Sequence, residues 1–229
     1  MILQELLSKR DKNKEKTFAR FFKTGQGEYG EGDVFLGISV PETRKISYRY
    51  KDLSLEELEK FLSNKYHECR LAALMILVYQ YNKGDYKIKQ KIFNFYLRHT
   101  KYINNWDLVD LSVYKIVGDY LVDKDRSILY KLAKSKNIWE RRIAIVSTYA
   151  FIKNKENKDT FELTKLLIED NHDLIHKACG WMLRESGKSV SEAELMNFLE
   201  KYGHKMPRTM LRYAIEKFSE PKRMYFLRK

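Results

Sequence analysis

The sequence has little of what stabilises small secreted domains or turns β-strands. Its two cysteines, Cys69 and Cys179, exclude a disulfide scaffold and fit a reducing, cytoplasmic setting. Three prolines and ten glycines are too few for a many-stranded fold with a turn every few residues. No run approaches the ~18 apolar residues of a membrane span. The N-terminus, MILQELLSKRDKNKEK, lacks the charge-first, apolar-next order of a signal peptide. Disorder is excluded as well, because hydrophobic residues make up 44% of the chain, enough for a core.

Acidic residues are the scarcer charge. Against 31 Asp and Glu stand 44 Lys and Arg, a formal net charge of +13 on 229 residues. The excess is local. Residues 131–158 hold eight basic and two acidic residues, and residues 201–229 hold nine and two, so the remainder of the chain is neutral. Clustered Lys and Arg suit a polyanion, since each phosphate contact releases a condensed counterion.

Nearly every segment reads as helix. Ser54 precedes LEELEKFL with Glu57 three residues on, a capping box. Residues 66–81 are rich in Ala, Leu and Met and carry one strongly apolar face. Further helical stretches follow, separated by short polar connectors such as NKGD, VDKD and SGKS, and Pro207 can open one more helix. No segment alternates with period two, so strands have little support. The helices also repeat. Arg70-Leu-Ala-Ala-Leu74 aligns with Arg142-Ile-Ala-Ile-Val146, Lys177-Ala-Cys-Gly-Trp181 follows, and the helix from Trp106 falls midway between the first two. The period is about 36 residues, that of a helix–turn–helix repeat. The expected fold is therefore all-α, a helical-repeat solenoid of the HEAT, armadillo or TPR kind with a concave basic face, in one domain over residues 1–229.

Three patterns carry no chemistry. Gly25-Gln-Gly-Glu-Tyr-Gly30 spells a dinucleotide fingerprint, but KTFARFFK before it reads as helix, and Glu28, Glu31 and Asp33 would repel a pyrophosphate. A mobile glycine-rich loop is expected over 24–33. His172 and His176 share a helix face without a third ligand, so no metal is expected. Both cysteines lie on apolar helices and read as core residues.

The chemistry concentrates in Asn104-Asn-Trp-Asp-Leu-Val-Asp110. Asn104 or Asn105 can cap a helix, and Asp107 in the first turn complements the helix dipole. Asp110 has no such explanation. It lies one turn after Trp106, inside the apolar arc formed with Val109, Val113, Ile116, Val117, Tyr120 and Leu121. A carboxylate placed there is costly unless paired or functional. Trp106, Trp139 and Trp181 are the only tryptophans. Trp106 and Trp181 can project beside Asp110 and stack on nucleobases or cations, whereas Trp139 reads as core.

Five strings in order make the chain resemble the HEAT-like DNA alkylation repair glycosylases of the AlkD type, over roughly residues 18 to 215. They are Phe35-Leu-Gly-Ile-Ser-Val-Pro-Glu-Thr-Arg44, Asn105-Trp-Asp-Leu-Val-Asp110, Gly118-Asp119, Asn137-Ile-Trp-Glu-Arg-Arg142 and Lys177-Ala-Cys-Gly-Trp-Met-Leu-Arg-Glu185. The resemblance implies excision of N3- and N7-alkylated purines, such as 7-methylguanine and 3-methyladenine, from double-stranded DNA. It implies Asp110 as the catalytic carboxylate, Trp106 and Trp181 flanking the lesion nucleotide, and Arg142 on DNA phosphate. Arg44, Lys177 and Arg184 are expected as further phosphate anchors. The resemblance also favours recognition through the backbone and the lesion's charge, with the base outside any tight pocket. Ala150, where the family carries a basic residue, and the acidic loop 24–33 are departures. No cofactor, metal or membrane is expected, no lysine stands out as a Schiff-base nucleophile, and a monomer is the default. Two rivals share the scaffold: a nucleic-acid binder without catalysis, for which Asp110 is unfavourable, and a protein-interaction scaffold, which would show no steep salt dependence toward DNA.

Overall fold

The computed structural model describes residues 2–228, and among these the structure is helical, with one isolated parallel bridge between Val34 and Tyr66. The helices are α1 (Ile2–Ser8), α2 (Lys12–Phe21), α3 (Val40–Arg49), α4 (Leu55–Leu62), α5 (His67–Lys83), α6 (Tyr86–Arg98), α7 (Trp106–Val113), α8 (Ser127–Leu132), α9 (Ile138–Lys153), α10 (Lys158–Leu167), α11 (Asp173–Ser189), α12 (Glu192–Tyr202), α13 (Arg208–Ala214) and α14 (Glu220–Arg228). The helices at the centres of the repeats begin at residues 67, 106, 138 and 173, close to the spacing read from the sequence. This is the helical-repeat class of fold. No described helix is long and apolar enough to cross a membrane. The chain groups into two compact units, Met1–Ser112 and Val113–Lys229.

In the first unit α5 is the core helix, packed by α3, α4 and α6. Its Leu71, Ala72, Ala73, Leu74, Ile76 and Leu77 are all buried. The two alanines cost no side-chain entropy and let neighbouring backbones approach. The surrounding helices begin where their sequences provide caps. The Ser54 hydroxyl accepts from Glu57 N while the Glu57 carboxylate accepts from Ser54 N, the reciprocal box expected. Asp11 and Asp85 cap α2 and α6 in the simpler way.

In the second unit α9 and α11 form the core. α9 packs on α8, α10 and α11, and α11 also packs on α12 and α13. Two glycines set the closest approaches. A Cβ at Gly118 would lie 2.3 Å from the Ser147 carbonyl oxygen, and one at Gly180 would lie 2.5 Å from the Met210 carbonyl oxygen. Gly118 ends a π-helical turn, Tyr114–Gly118, and so allows α9 to lie against it. Cys69, Cys179 and Trp139 are buried, as expected of core residues. The C-terminal basic stretch forms α14.

Candidate active site

The first unit contains a cavity of about 570 Å³ between α2, the segment 35–40, α5 and α7. Its lining grades inward. Thr17 and Phe21 are exposed, Phe18, Val40, Trp106, Asp110 and Leu111 half-buried, and Phe22, Phe35, Ile38, His67, Glu68, Leu71 and Asp107 buried. Trp106 and Asp110 lie one turn apart on α7, so one helix face presents both. Aromatic rings form a stack across the wall. Trp106 lies on Phe22 at 5.2 Å between ring centroids, Phe22 on Phe35 at 4.8 Å, and Phe35 on the His67 ring at 4.4 Å. Phe21, 62% exposed, meets Trp106 edge-on at 5.9 Å.

Behind this wall runs a buried chain of charges. The Arg70 guanidinium donates to the Asp33 carboxylate. His67 donates from Nδ1 to Asp33 at 2.9 Å and from Nε2 to Asp107 at 2.8 Å. Asn105 Nδ2 donates to Asp33 at 3.3 Å. Burial opposes a charge on His67, but the Asp107 charge and hydrogen bond, joined by those of Asp33, outweigh it and push the imidazole up to about 9. His67 is thus an imidazolium at neutral pH. Burial also works against the Asp33 carboxylate, yet His67 and Arg70 hold it below its usual range. Glu68 next to them accepts from Leu36 N at 2.8 Å and Ile38 N at 3.1 Å, fixing the segment that forms the cavity's inner end. Burial pushes that carboxyl above its ordinary value.

Asp107 therefore has a stronger reason for its place than the helix dipole. It ties the first turn of α7 to α5, and so fixes the helix from which Trp106 and Asp110 project. The loop 24–33 is also more than a glycine-rich spacer. Glu28 and Glu31 accept from Gly25 N and Gly27 N, each at 2.9 Å, and Gly30 N donates to the Lys23 carbonyl at 3.0 Å. The loop ends on Asp33, the buried anchor of the charged chain. Its three acids are thus turned to internal bonds. His67, Asp33, Arg70 and Asn105 are the residues that sequence reasoning missed. The signal available was a histidine and an arginine one turn apart at the start of an apolar helix, which has no meaning until distant acids are placed beside them.

Arg44 lies exposed on α3 of the first unit. The remaining expected site residues belong to the second unit. Trp181 is half-buried on α11 and tilts against Tyr149 at 6.0 Å. Tyr149 meets Tyr114 edge-on, and the exposed Lys153 ammonium sits over both tyrosine rings, at 5.0 and 5.1 Å. This aromatic and cationic cluster has the composition of a nucleic-acid contact. Lys177 pairs with Asp173 at 2.6 Å, and Arg184 pairs with Glu185 at 3.1 Å and with Glu216. Arg142 is buried, and its Nη1 donates to the Leu174 carbonyl at 2.6 Å, at the first turn of α11. The histidine pair has structural work: His172 accepts from Leu174 N at 3.1 Å as a helix cap, and His176 binds the Asp170 carbonyl.

A helical-repeat protein with a basic second unit, and with a carboxylate beside a tryptophan in an aromatic cavity, belongs among proteins that handle nucleic acid. The chain is more narrowly placed by comparison: it belongs to the DNA alkylation repair enzyme family, whose model matches residues 2–218. A solved structure titled a predicted DNA alkylation repair enzyme from Enterococcus faecalis is similar to it, with a TM-score of 0.72 at 15% identity over 92% of this chain and 97% of that one, a likeness of fold. Among curated proteins none matches. Membership makes repair of alkylated DNA the role and DNA the partner.

Proposed function

We propose that this protein is a monofunctional DNA glycosylase that hydrolyses the N-glycosidic bond of N3- and N7-alkylated purines in duplex DNA. The observation that carries the reading is the placement of Asp110, a half-buried carboxylate in the wall of an aromatic cavity, one turn from Trp106. Alkylation at N3 or N7 leaves the purine cationic, so the base departs as a neutral molecule without a general acid. Only one of the two carboxylates of ordinary glycoside hydrolysis is then needed.

The bond between C1′ and the purine nitrogen breaks with its electron pair going to the base. The sugar becomes oxocarbenium-like, and Asp110 stabilises that charge and orients the attacking water, accepting its proton. Trp106 excludes water and so strengthens the carboxylate's field. Trp181, in the second unit, offers DNA an aromatic surface beside Tyr149 and Lys153. Arg44, Lys177 and Arg184 hold phosphates. Lys177 and its partner Asp173 are both on the surface, and exposed pairs are worth about 0–1 kcal/mol, so phosphate replaces Asp173 at little cost. Arg142 acts from its buried seat by fixing the first turn of α11, the helix on which Lys177 lies one turn further. The protein works as a monomer in the cytoplasm.

The test is release of methylated purine from duplex DNA treated with a methylating agent. Asp110→Asn should bind DNA like the wild type and lose about a hundredfold or more in excision rate. Full activity in that variant would remove Asp110 from the mechanism. Release by neither protein, with DNA binding intact, would make the chain a binding module.

A further inference from the structure

We propose that two clusters, each a lysine held over a pair of crossed tyrosine rings, are seats for DNA phosphates, one in each unit. This rests on DNA as the partner and extends the glycosylase reading to contacts outside the five sequence strings. In the first unit Tyr48 of α3 meets Tyr79 of α5 edge-on, with ring centroids 5.4 Å apart and planes at 87°. The Lys51 ammonium lies over both rings, at 5.0 and 5.6 Å. In the second unit Tyr114 of the π-helical turn meets Tyr149 of α9 at 5.1 Å and 88°. The Lys153 ammonium lies over both, at 5.0 and 5.1 Å. Each pair bridges two helical segments that pack directly on one another. The same arrangement, at nearly the same dimensions, is thus built twice from different helices.

A tyrosine face attracts a cation yet carries no net charge. Two rings therefore hold the ammonium without cancelling its charge. Among the described residues neither Lys51 nor Lys153 pairs with a carboxylate. Lys177 and Arg184 differ, because each sits on acids that phosphate must displace. An exposed lysine also loses rotamer freedom when it settles on a ligand. One already seated on two rings has lost most of it beforehand, so binding orders less. Core packing does not explain the rings either, since Tyr48 is 58% exposed. Position adds a further argument. Tyr48 lies one turn after Arg44 on α3, and both are exposed. Tyr149 tilts against Trp181 at 6.0 Å. Each seat is therefore continuous with a residue expected on DNA, as contacts along a strand's backbone must be.

Binding of the full chain to undamaged duplex DNA, followed by fluorescence anisotropy over a series of salt concentrations, tests this. Lys51→Gln and Lys153→Gln should each lower the slope of log binding constant against log salt by about one. Lys87→Gln removes the same charge from an exposed position on α6 and should leave the slope as it is. Tyr48→Leu takes away a ring and keeps the charge. Its slope should hold while affinity falls about two- to fivefold, the loss of one exposed cation–π contact. An unchanged slope in Lys51→Gln or Lys153→Gln would overturn the seat at that lysine. An equal fall in Lys87→Gln would overturn both seats, since net charge alone would then set the slope. Wild-type affinity in Tyr48→Leu would overturn the part given to the rings. Excision is read separately. Release of methylated purine by the wild type, with unchanged slopes, would remove the seats and leave the glycosylase reading standing. No release, with slopes lowered as expected, would remove that reading and leave the seats.

Discussion

The buried His67 imidazolium makes stability depend on pH in a way that one substitution isolates. Its folded value is raised from 6.5 to about 9 by Asp107 and Asp33. A raised value means the folded state holds the proton more tightly than the unfolded chain. The resulting stabilisation is complete below pH 6.5 and is lost as pH rises through 9. Between those limits the fold keeps a proton that the unfolded chain has released, so stability should fall by about 1.4 kcal/mol per pH unit, about 3 kcal/mol in all. Asp33 behaves in the opposite sense. Its value is lowered, so its contribution is present above 3.8 and lost as the solution becomes more acidic. Urea unfolding of the wild type and His67→Gln in steps from pH 6 to 10 separates these effects, because groups away from the His67 partners Asp33 and Asp107 titrate alike in both proteins. His67→Gln should be about 3 kcal/mol less stable at pH 6.5, where it leaves Asp107 buried without its cation, and the gap should close towards pH 10. Parallel stability curves, with a constant gap, would refute the imidazolium and with it the account of how α7 is held.

Other expectations concern single features. Gly180→Ala should cost about 1–3 kcal/mol, because the new Cβ meets Met210 O and Tyr213 Cβ at 2.5 Å and α11 must part from α13; urea unfolding reads it, and an unchanged midpoint would mean the helices can separate freely. Ser54→Ala removes half of the α4 capping box and should cost about 1 kcal/mol in the same assay, an effect a threonine at that position should largely avoid. Arg44→Gln should lower the slope of log binding constant against log salt for undamaged duplex DNA by about one; an unchanged slope would show that Arg44 touches no phosphate.

The helical plan was legible because its causes are local. Ser54 with Glu57, the small residues of α5 and α9, and the polar connectors each act within a turn or two of their own position. Trp106 and Asp110 were legible for the same reason, since their shared face follows from a spacing of four on one helix. The anchor chain was not. His67 meets partners 34 and 40 residues away, and Arg70 meets Asp33 at a separation of 37. Neither period nor capping preference marks such pairs. Asp33 carried a misleading local context, because an acid ending a glycine-rich, acidic loop looks like solvent-facing charge. The cavity was hidden too. It is lined by residues from α2, the 35–40 segment, α5 and α7, which only the packing brings together.

Asp107 and Asp110 show why local pattern separates two carboxylates correctly yet assigns the first an incomplete cause. Both lie on the apolar helix α7, and both line the cavity. A buried carboxylate must be matched by a cation or it protonates. Asp107 meets this demand through His67, whose other nitrogen binds Asp33, which Arg70 balances in turn. The chain therefore starts from a guanidinium that stays charged at any working pH, and the first turn of α7 is held by ionic hydrogen bonds between buried groups. Asp110, one turn further, remains half-buried on the face it shares with Trp106. A carboxylate that must answer a charge developing on a sugar gains from a rigid mount, since reorganisation at the moment of reaction would cost part of its effect. Substitutions in the anchor should therefore lower the rate of excision more than the affinity for DNA. His67→Gln would move the single-turnover rate and leave the dissociation constant for undamaged duplex nearly unchanged. An equal loss in both would mean that the anchor supports the DNA-binding surface as a whole, and not the placement of Asp110.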